Sequence, residues 1–133
     1  EYSDGIKTFV KNANTFVIVA TRGHRHDDDA VAAALSTQAS YVGLVGSKRK
    51  AILIFEKLIS EGFSEKQINS VHSPIGLNIG ARTPEEIAVS IMSEILSFRF
   101  GGDGTSMKLD DSLMSKSIKR GIKKKAGSSI AIE

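Results

Sequence analysis

Two periods of hydrophobic patterning divide this chain. Thr15–Ala20 and Tyr41–Val45 are continuous β-prone runs, apolar on both faces, which predicts strands inside a parallel sheet covered by helices on each side. Between and after them the apolar positions recur at helical spacing. Residues 5–13 place Ile6, Phe9 and Val10 on one side of a short amphipathic helix. A second helix is predicted from about Asp28 to Gln38, with Val31 and Leu35 on one face. A third runs from Gly46-Ser47 to about Glu61, with Phe55, Leu58 and Ile59 toward the core and Gly62 ending it. Ser64 to Gln67 is a capping box that opens a short helix, and a third strand is expected near Ser70–His72.

The stretch His72–Arg82 organises the rest of the chain around it. Pro74, Ile75, Leu77 and Ile79 between Gly76 and Gly80 describe a structured connector, with glycine where φ is positive or where a backbone or ligand comes close. Thr83, Pro84 and Glu86 then form a strong helix start. That helix is predicted to reach Phe100, with Ile87, Ile91, Ile95 and Phe98 on one face and Glu86, Ser90, Ser93 and Ser97 on the other. Gly101-Gly102 stops it.

Strand, helix, strand, helix, strand, helix at this spacing reads as an α/β fold with a Rossmann-like parallel sheet, whose strand C-terminal ends share one ligand-binding edge. Residues 1–102 form the predicted domain, and 103–133 a polar extension. Basic and acidic residues balance over 1–102, so the net charge of +3 falls in the extension, around Lys119–Lys125. A protein-wide basic field for nucleic acid is therefore not supported. The extension reads either as a solvated tail or as a contact for an anionic partner, with Leu109, Leu113, Ile118 and Ile122 at weak helical spacing. Nothing approaches the ~20 apolar residues of a membrane helix. The absence of cysteine excludes disulfides and thiolate chemistry within the chain and fits a cytoplasmic protein.

Two constellations could carry chemistry. His24-Arg25-His26-Asp27-Asp28-Asp29 offers imidazoles and carboxylates. Its spacing is similar to the His-x-His-x-Asp-His signature of the metallo-β-lactamase fold up to Asp28, but Asp29 stands where the third histidine should. No metal is expected, because the ligand set is one imidazole or thiolate short. Asp27 is read as a helix cap, with Asp28 and Asp29 complementing the helix dipole. In the second constellation, Gly46 and Ser47 precede Lys48, Arg49 and Lys50, three cations in a first turn where the dipole disfavours them. N–H groups, a hydroxyl and cations at a helix start describe an anion pocket. The alternative is three side chains solvated outside the helix.

The phrase from His72 to Ile91 (H-S-P-I-G-L-N-I-G-A-R-T-P-E-E-I-A-V-S-I) resembles the C-terminal Rossmann-like domain of the XdhC/CoxI family, accessory proteins of molybdenum hydroxylases. Ser73 and Asn78 depart from the family phrase, and Asn78 removes a carboxylate. A-T-R-G-H-R-H-D at residues 20–27 and G-S-K-R-K at 46–50 are similar to family phrases too, so the resemblance spans about residues 15–100. It implies a role in binding molybdenum cofactor (molybdopterin), with Thr21, His24, Gly46, Ser47, Lys48, Arg49, Gly76 and Gly80 as the cofactor-binding set. It implies delivery to a molybdenum hydroxylase apo-enzyme of the xanthine or carbon monoxide dehydrogenase type, beside a cysteine desulfurase. The chain would then be a maturation factor more than a catalyst.

The competing class is a nucleotide- or NAD(P)-binding oxidoreductase domain. The α/β pattern supports it, and the absence of any G-x-G-x-x-G or G-x-x-x-x-G-K-[ST] weakens it. In the family the glycine-rich turn lies upstream of the matched stretch. The chain, opening on Glu1, thus reads as the second half of the domain, whether fragment, processed chain or split subunit. An open sheet edge is expected near Phe16–Ala20 or Tyr41–Val45, covered by a second copy or a complementary half-domain, with weak NAD(P) or ATP binding until it is.

Overall fold

The computed structural model describes residues 2–10, 12–21 and 26–132. Its elements are α1 (Tyr2–Phe9), β1 (Phe16–Val19), α2 (Asp27–Leu35), β2 (Tyr41–Leu44), α3 (Lys48–Ser60), α4 (Glu65–Asn69), β3 (Val71–His72), α5 (Pro84–Phe100) and α6 (Asp111–Ile132). The strands form one parallel sheet in the order β1-β2-β3, with Phe16 opposite Tyr41 and Val42 opposite Val71. All three C-terminal ends therefore lie at one edge, as the pattern predicted. The fold is α/β and corresponds to part of a Rossmann-like domain.

Strand order settles what the sequence left open. β2 is the central strand, buried along its whole length, so Tyr41–Val45 is not the open edge. β1 is: among the described residues only β2 pairs with it, and Ile18 stays 42% exposed. The double-sided apolar run at Phe16–Val19 thus stands at a sheet edge among the described residues.

One sheet face carries Val19, Leu44 and Val71 against Ala30 and Val31 of α2 and Ile54 and Leu58 of α3. Alanines in α2 let its backbone approach the sheet. Burying each of Val31, Leu44 and Leu58 stabilises the fold by about 1.5–3 kcal/mol. Ile59, expected in this core, is 45% exposed; Ile54, little more than a turn earlier on α3, takes its place. α3 ends in a Schellman motif, Phe63 N–H to Leu58 O and Gly62 N–H to Ile59 O, both 3.1 Å, with Gly62 at φ +101°. α2 stops at Leu35, earlier than predicted. The hydroxyls of Ser36 and Thr37 take the carbonyls of Ala32 and Ala34 there, competing with further helix.

The other face holds an aromatic cluster. Tyr41 stacks on His72 at 4.4 Å between ring centroids, and Phe98 of α5 meets both edge-on. Glu94 accepts the Tyr41 hydroxyl hydrogen at 2.7 Å and lies 3.2 Å from His72 Nδ1. Burial first, and then the Glu94 hydrogen bond, push the Tyr41 phenol above its ordinary range.

α5 begins and ends where predicted, with both halves of the Thr83–Glu86 capping box made and Gly101 left-handed after it. Its faces are not as predicted. Ser90 is buried rather than outward, because the connector docks on it, while Val89, Met92, Leu96 and Phe100 point to solvent. In the extension, residues 111–132 form one helix, with every side chain from 111 to 128 except Met114 exposed.

Acid should reveal the caps. Glu86 Oε1 accepts the N–H groups of Thr83 and Arg82, each at 2.9 Å, which hold its carboxyl below the ordinary 4.5. Asp28 is held below 3.8 chiefly by its hydrogen bond from Lys57. Depressed folded-state values contribute stability above the unfolded pKa that is lost as pH falls through the folded one. The thermal midpoint should therefore drop between about pH 5 and about pH 3. Glu86→Gln, which keeps the acceptor but does not titrate, should lessen that drop; an identical profile would count against the box as a contributor.

Candidate functional site

The C-terminal sheet edge gathers the ends of β1, β2 and β3, the starts of α2 and α3, and the connector 73–82. Its deepest group is Asp27, fully buried in the first turn of α2. It is not the cap expected from sequence. His26 holds the N-cap position, with no capping hydrogen bond from its side chain. The Asp27 carboxylate instead accepts from the Thr21 hydroxyl on one oxygen and pairs with Lys50 Nζ on the other. Lys50 also donates to the carbonyl of Val45 at 3.4 Å. Gly46 makes this possible, since a Cβ there would meet the Lys50 stem at 2.9 Å.

One of the three first-turn cations is thus committed to a buried ion pair. Arg49 lines a cleft of about 700 Å³ with Gly46, Ser47, Lys50, Leu53, Ile54, Asp28 and Lys57. Lys48 is exposed. Ser47 caps α3, accepting the Lys50 N–H at 3.2 Å, so that N–H is not available to a ligand. By helix geometry the N–H groups of Lys48 and Arg49 have no intrahelical partner. Lys57 neutralises the one carboxylate in the cleft, Asp28. The cleft lining thus carries three cations, Arg49, Lys50 and Lys57, and one carboxylate, Asp28.

Gly76 and Gly80 stand apart from this cleft. Gly76, at φ +105°, packs where a side chain would strike the Ser90 hydroxyl; Ser90 in turn donates to Leu77 O and accepts the Leu77 N–H at 3.2 Å. Ile75 lies over Gly43, whose missing side chain leaves it room on the sheet. The connector is also fixed to β2, where Leu44 O accepts from Ile75 N–H at 3.2 Å and from the Ser73 hydroxyl at 3.1 Å; Ser73–Pro74 is cis. Gly80 is exposed, with positive φ. His24 lies outside the described residues. Thr21, which the family phrase singled out, is held under the edge by Asp27.

The Asp27–Lys50 pair was missed from sequence because acids at a helix start already had a local explanation. The available signal was the lysine two residues past the first helical position, at the third position of a helix facing that acid. The described residues contain no cluster of three His, Asp or Glu side chains arranged for a metal, and no helix long and apolar enough to cross a membrane.

Comparison with known proteins gives these features a family. The chain is 36% identical over 94 residues to the Escherichia coli protein YqeB, which is named only as uncharacterized; the match takes in 71% of this chain and 17% of that protein. It is 37% identical over 82 residues to a probable xanthine dehydrogenase subunit from Bacillus subtilis, covering 62% of this chain and 23% of that one. Over 88 residues it is 27% identical to the Escherichia coli molybdenum cofactor insertion chaperone PaoD, covering 66% and 28%. Among solved structures, a xanthine dehydrogenase from Bacillus halodurans superposes with a TM-score of 0.61 at 25% identity, over 80% of this chain and 30% of that one. The chain thus spans less than a third of the length of any of these relatives. The XdhC Rossmann domain matches residues 3–95, from α1 into α5, and the chain belongs to that family.

Proposed function

We propose that this domain helps hold molybdenum cofactor during its maturation and insertion into a molybdenum hydroxylase, and that the start of α3 takes the cofactor's phosphate. The carrying observation is the division of labour among the three cations: Lys50 is paired with the buried Asp27, while Arg49 lines the cleft and Lys48 is exposed next to it in the chain. The donor set fits the group. Its terminal phosphate is an anion that forked guanidinium donors and helix-start N–H groups recognise, and the cleft is of pterin scale. Such a cofactor supplies the molybdenum at which a hydroxylase works, and this domain's part is to bind and orient it. Thr21 and Asp27 position Lys50, which supports the first turn of α3 from below. His24, three residues after Thr21 in the chain, is assigned to the same ligand edge on the family phrase alone. Gly76 and Gly80 shape the far wall of that edge. A hydroxylase apo-enzyme as recipient, and a cysteine desulfurase beside it, complete the reading, together with a cytoplasmic setting.

A nucleotide in place of the cofactor is the second reading, and the parallel sheet with its helix starts at one edge supports it. Arg49→Ala and Lys48→Ala in the intact protein, co-produced with its hydroxylase, separate the outcomes. One lost charge-assisted hydrogen bond should weaken retention of cofactor roughly ten- to hundredfold, with the thermal midpoint nearly unchanged. Undiminished cofactor in both variants would sink the anion site. Tight NAD(P) or ATP binding that both variants lose would favour the nucleotide.

A further inference from the structure

We propose that α6 is an exchange arm: the α6 of one copy packs antiparallel on the outer face of α5 of a second copy, and reciprocally. The first observation is that α5 carries an apolar stripe on its outer side. Val89, Met92, Leu96 and Phe100, spaced three, four and four residues apart, form one outward stripe and are each at least half exposed. The second is that nothing covers α6 either. From 111 to 128 every side chain except Met114 is exposed, although Met114, Ile118 and Ile122 line one face at steps of four. Antiparallel, Phe100 sits over Met114, Leu96 over Ile118 and Met92 over Ile122, the same axial steps on both helices.

Charge selects both the partner and the direction. α5 is acidic at its start, with Glu85 in the outward stripe, and basic at its end, with Arg99 beside it. α6 has the same order, Asp110 and Asp111 at its start and Lys123, Lys124 and Lys125 toward its end. Antiparallel docking pairs Arg99 with the aspartates and Glu85 with Lys124 or Lys125, whereas parallel docking would set like against like at both ends. In this structure α6 forms no packed seam with its own α5. Asp103 Oδ1 accepts the Thr105 N–H at 2.9 Å and its hydroxyl at 2.7 Å, Gly104 turns with φ +73° against Leu77, and Asp110 Oδ1 caps α6 through the Leu113 N–H at 2.8 Å. Gly104 thus seats the connector against Leu77, while the Asp103 and Asp110 bonds order the turn and the start of α6. The rest of the basic cluster, Lys116, Lys119 and Arg120, then faces solvent outside the seam.

The test is the mass of the 133-residue chain by light scattering at micromolar concentration. Twice the 14.3 kDa of the chain is expected, falling to a single mass for residues 1–110. Leu96→Lys, which removes one side chain from each of two seams, should raise the dissociation constant roughly a hundredfold or more. Glu85→Lys alone should weaken the dimer, and mixing it with a Lys124→Glu, Lys125→Glu chain should restore association between the two variants. That rescue cannot come from a misfolded chain. A parent that is monomeric, a 1–110 chain that stays dimeric, or a mixture that fails to associate would each overturn the proposal.

Discussion

Asp27→Ala should be among the most damaging single substitutions in this domain, costing about 3–5 kcal/mol, because it removes the fully buried carboxylate with which the largely buried Lys50 pairs. Against the roughly 5–15 kcal/mol that hold a domain of this kind together, that is a large share. The side chain is 0% exposed, so water cannot replace what is lost, and the Thr21 hydroxyl loses its acceptor in the same step. Removing both partners should be far milder than removing one, since the penalty lies in the stranded ion more than in the lost attraction. Urea unfolding of Asp27→Ala, Lys50→Met and the double variant makes the comparison. If the double variant is as unstable as Asp27→Ala, the carboxylate matters for something other than Lys50. If Asp27→Ala costs no more than an exposed pair, about 1 kcal/mol or less, the network does not hold the edge together.

That pair also marks where sequence reading stops. Caps, stops and strand-forming runs are decided by residues within a few positions of each other. The Ser64–Gln67 and Thr83–Glu86 boxes and the Gly62 and Gly101 terminators were legible for that reason, and the elements they bound stand within a few residues of prediction. The central place of β2 was not legible, because pairing order depends on contacts far apart in the chain. Asp27 obeyed a local rule so well that its distant partner stayed hidden. In α5, apolar residues occupy both sides of the helix, so periodicity alone could not say which side meets the sheet. The connector decides it, by placing Leu77 against Ser90. In the extension, Leu109, Leu113, Ile118 and Ile122 gave only weak helical spacing, and the structure makes residues 111–132 one helix of 22 residues, exposed from 111 to 128 except at Met114. The proposed anion site rests on composition at Gly46–Lys50, to which the structure adds the cleft that Gly46, Ser47, Arg49 and Lys50 line. What the sequence could not give was which cation is held back by the fold.

The two connector glycines, four apart and alike in sequence, should respond very differently to alanine. Gly76→Ala meets two penalties at once. Its φ of +105° is a conformation that L residues rarely adopt, and a Cβ there runs into the Ser90 hydroxyl and lies 3.3 Å from the Ser90 Cβ. Backbone strain of about 1–3 kcal/mol adds to about 1–3 kcal/mol for forcing an extra carbon into a packed contact. The Ser90 hydrogen bond to Leu77 O and the Leu77 N–H bond back to Ser90 O both stand in the path of any relief. A total loss of roughly 2–6 kcal/mol is expected, with the connector lifting from α5 and loosening the far wall of the ligand edge. Gly80→Ala, at φ +74° with open space around it, meets the strain alone and should cost about 1–2 kcal/mol. Denaturant midpoints, read with amide exchange at Leu77, distinguish the two cases. Exchange at Leu77 should speed up in Gly76→Ala and stay near the parent rate in Gly80→Ala. Equal losses in stability at the two positions would mean that the connector is not seated on Ser90 as described.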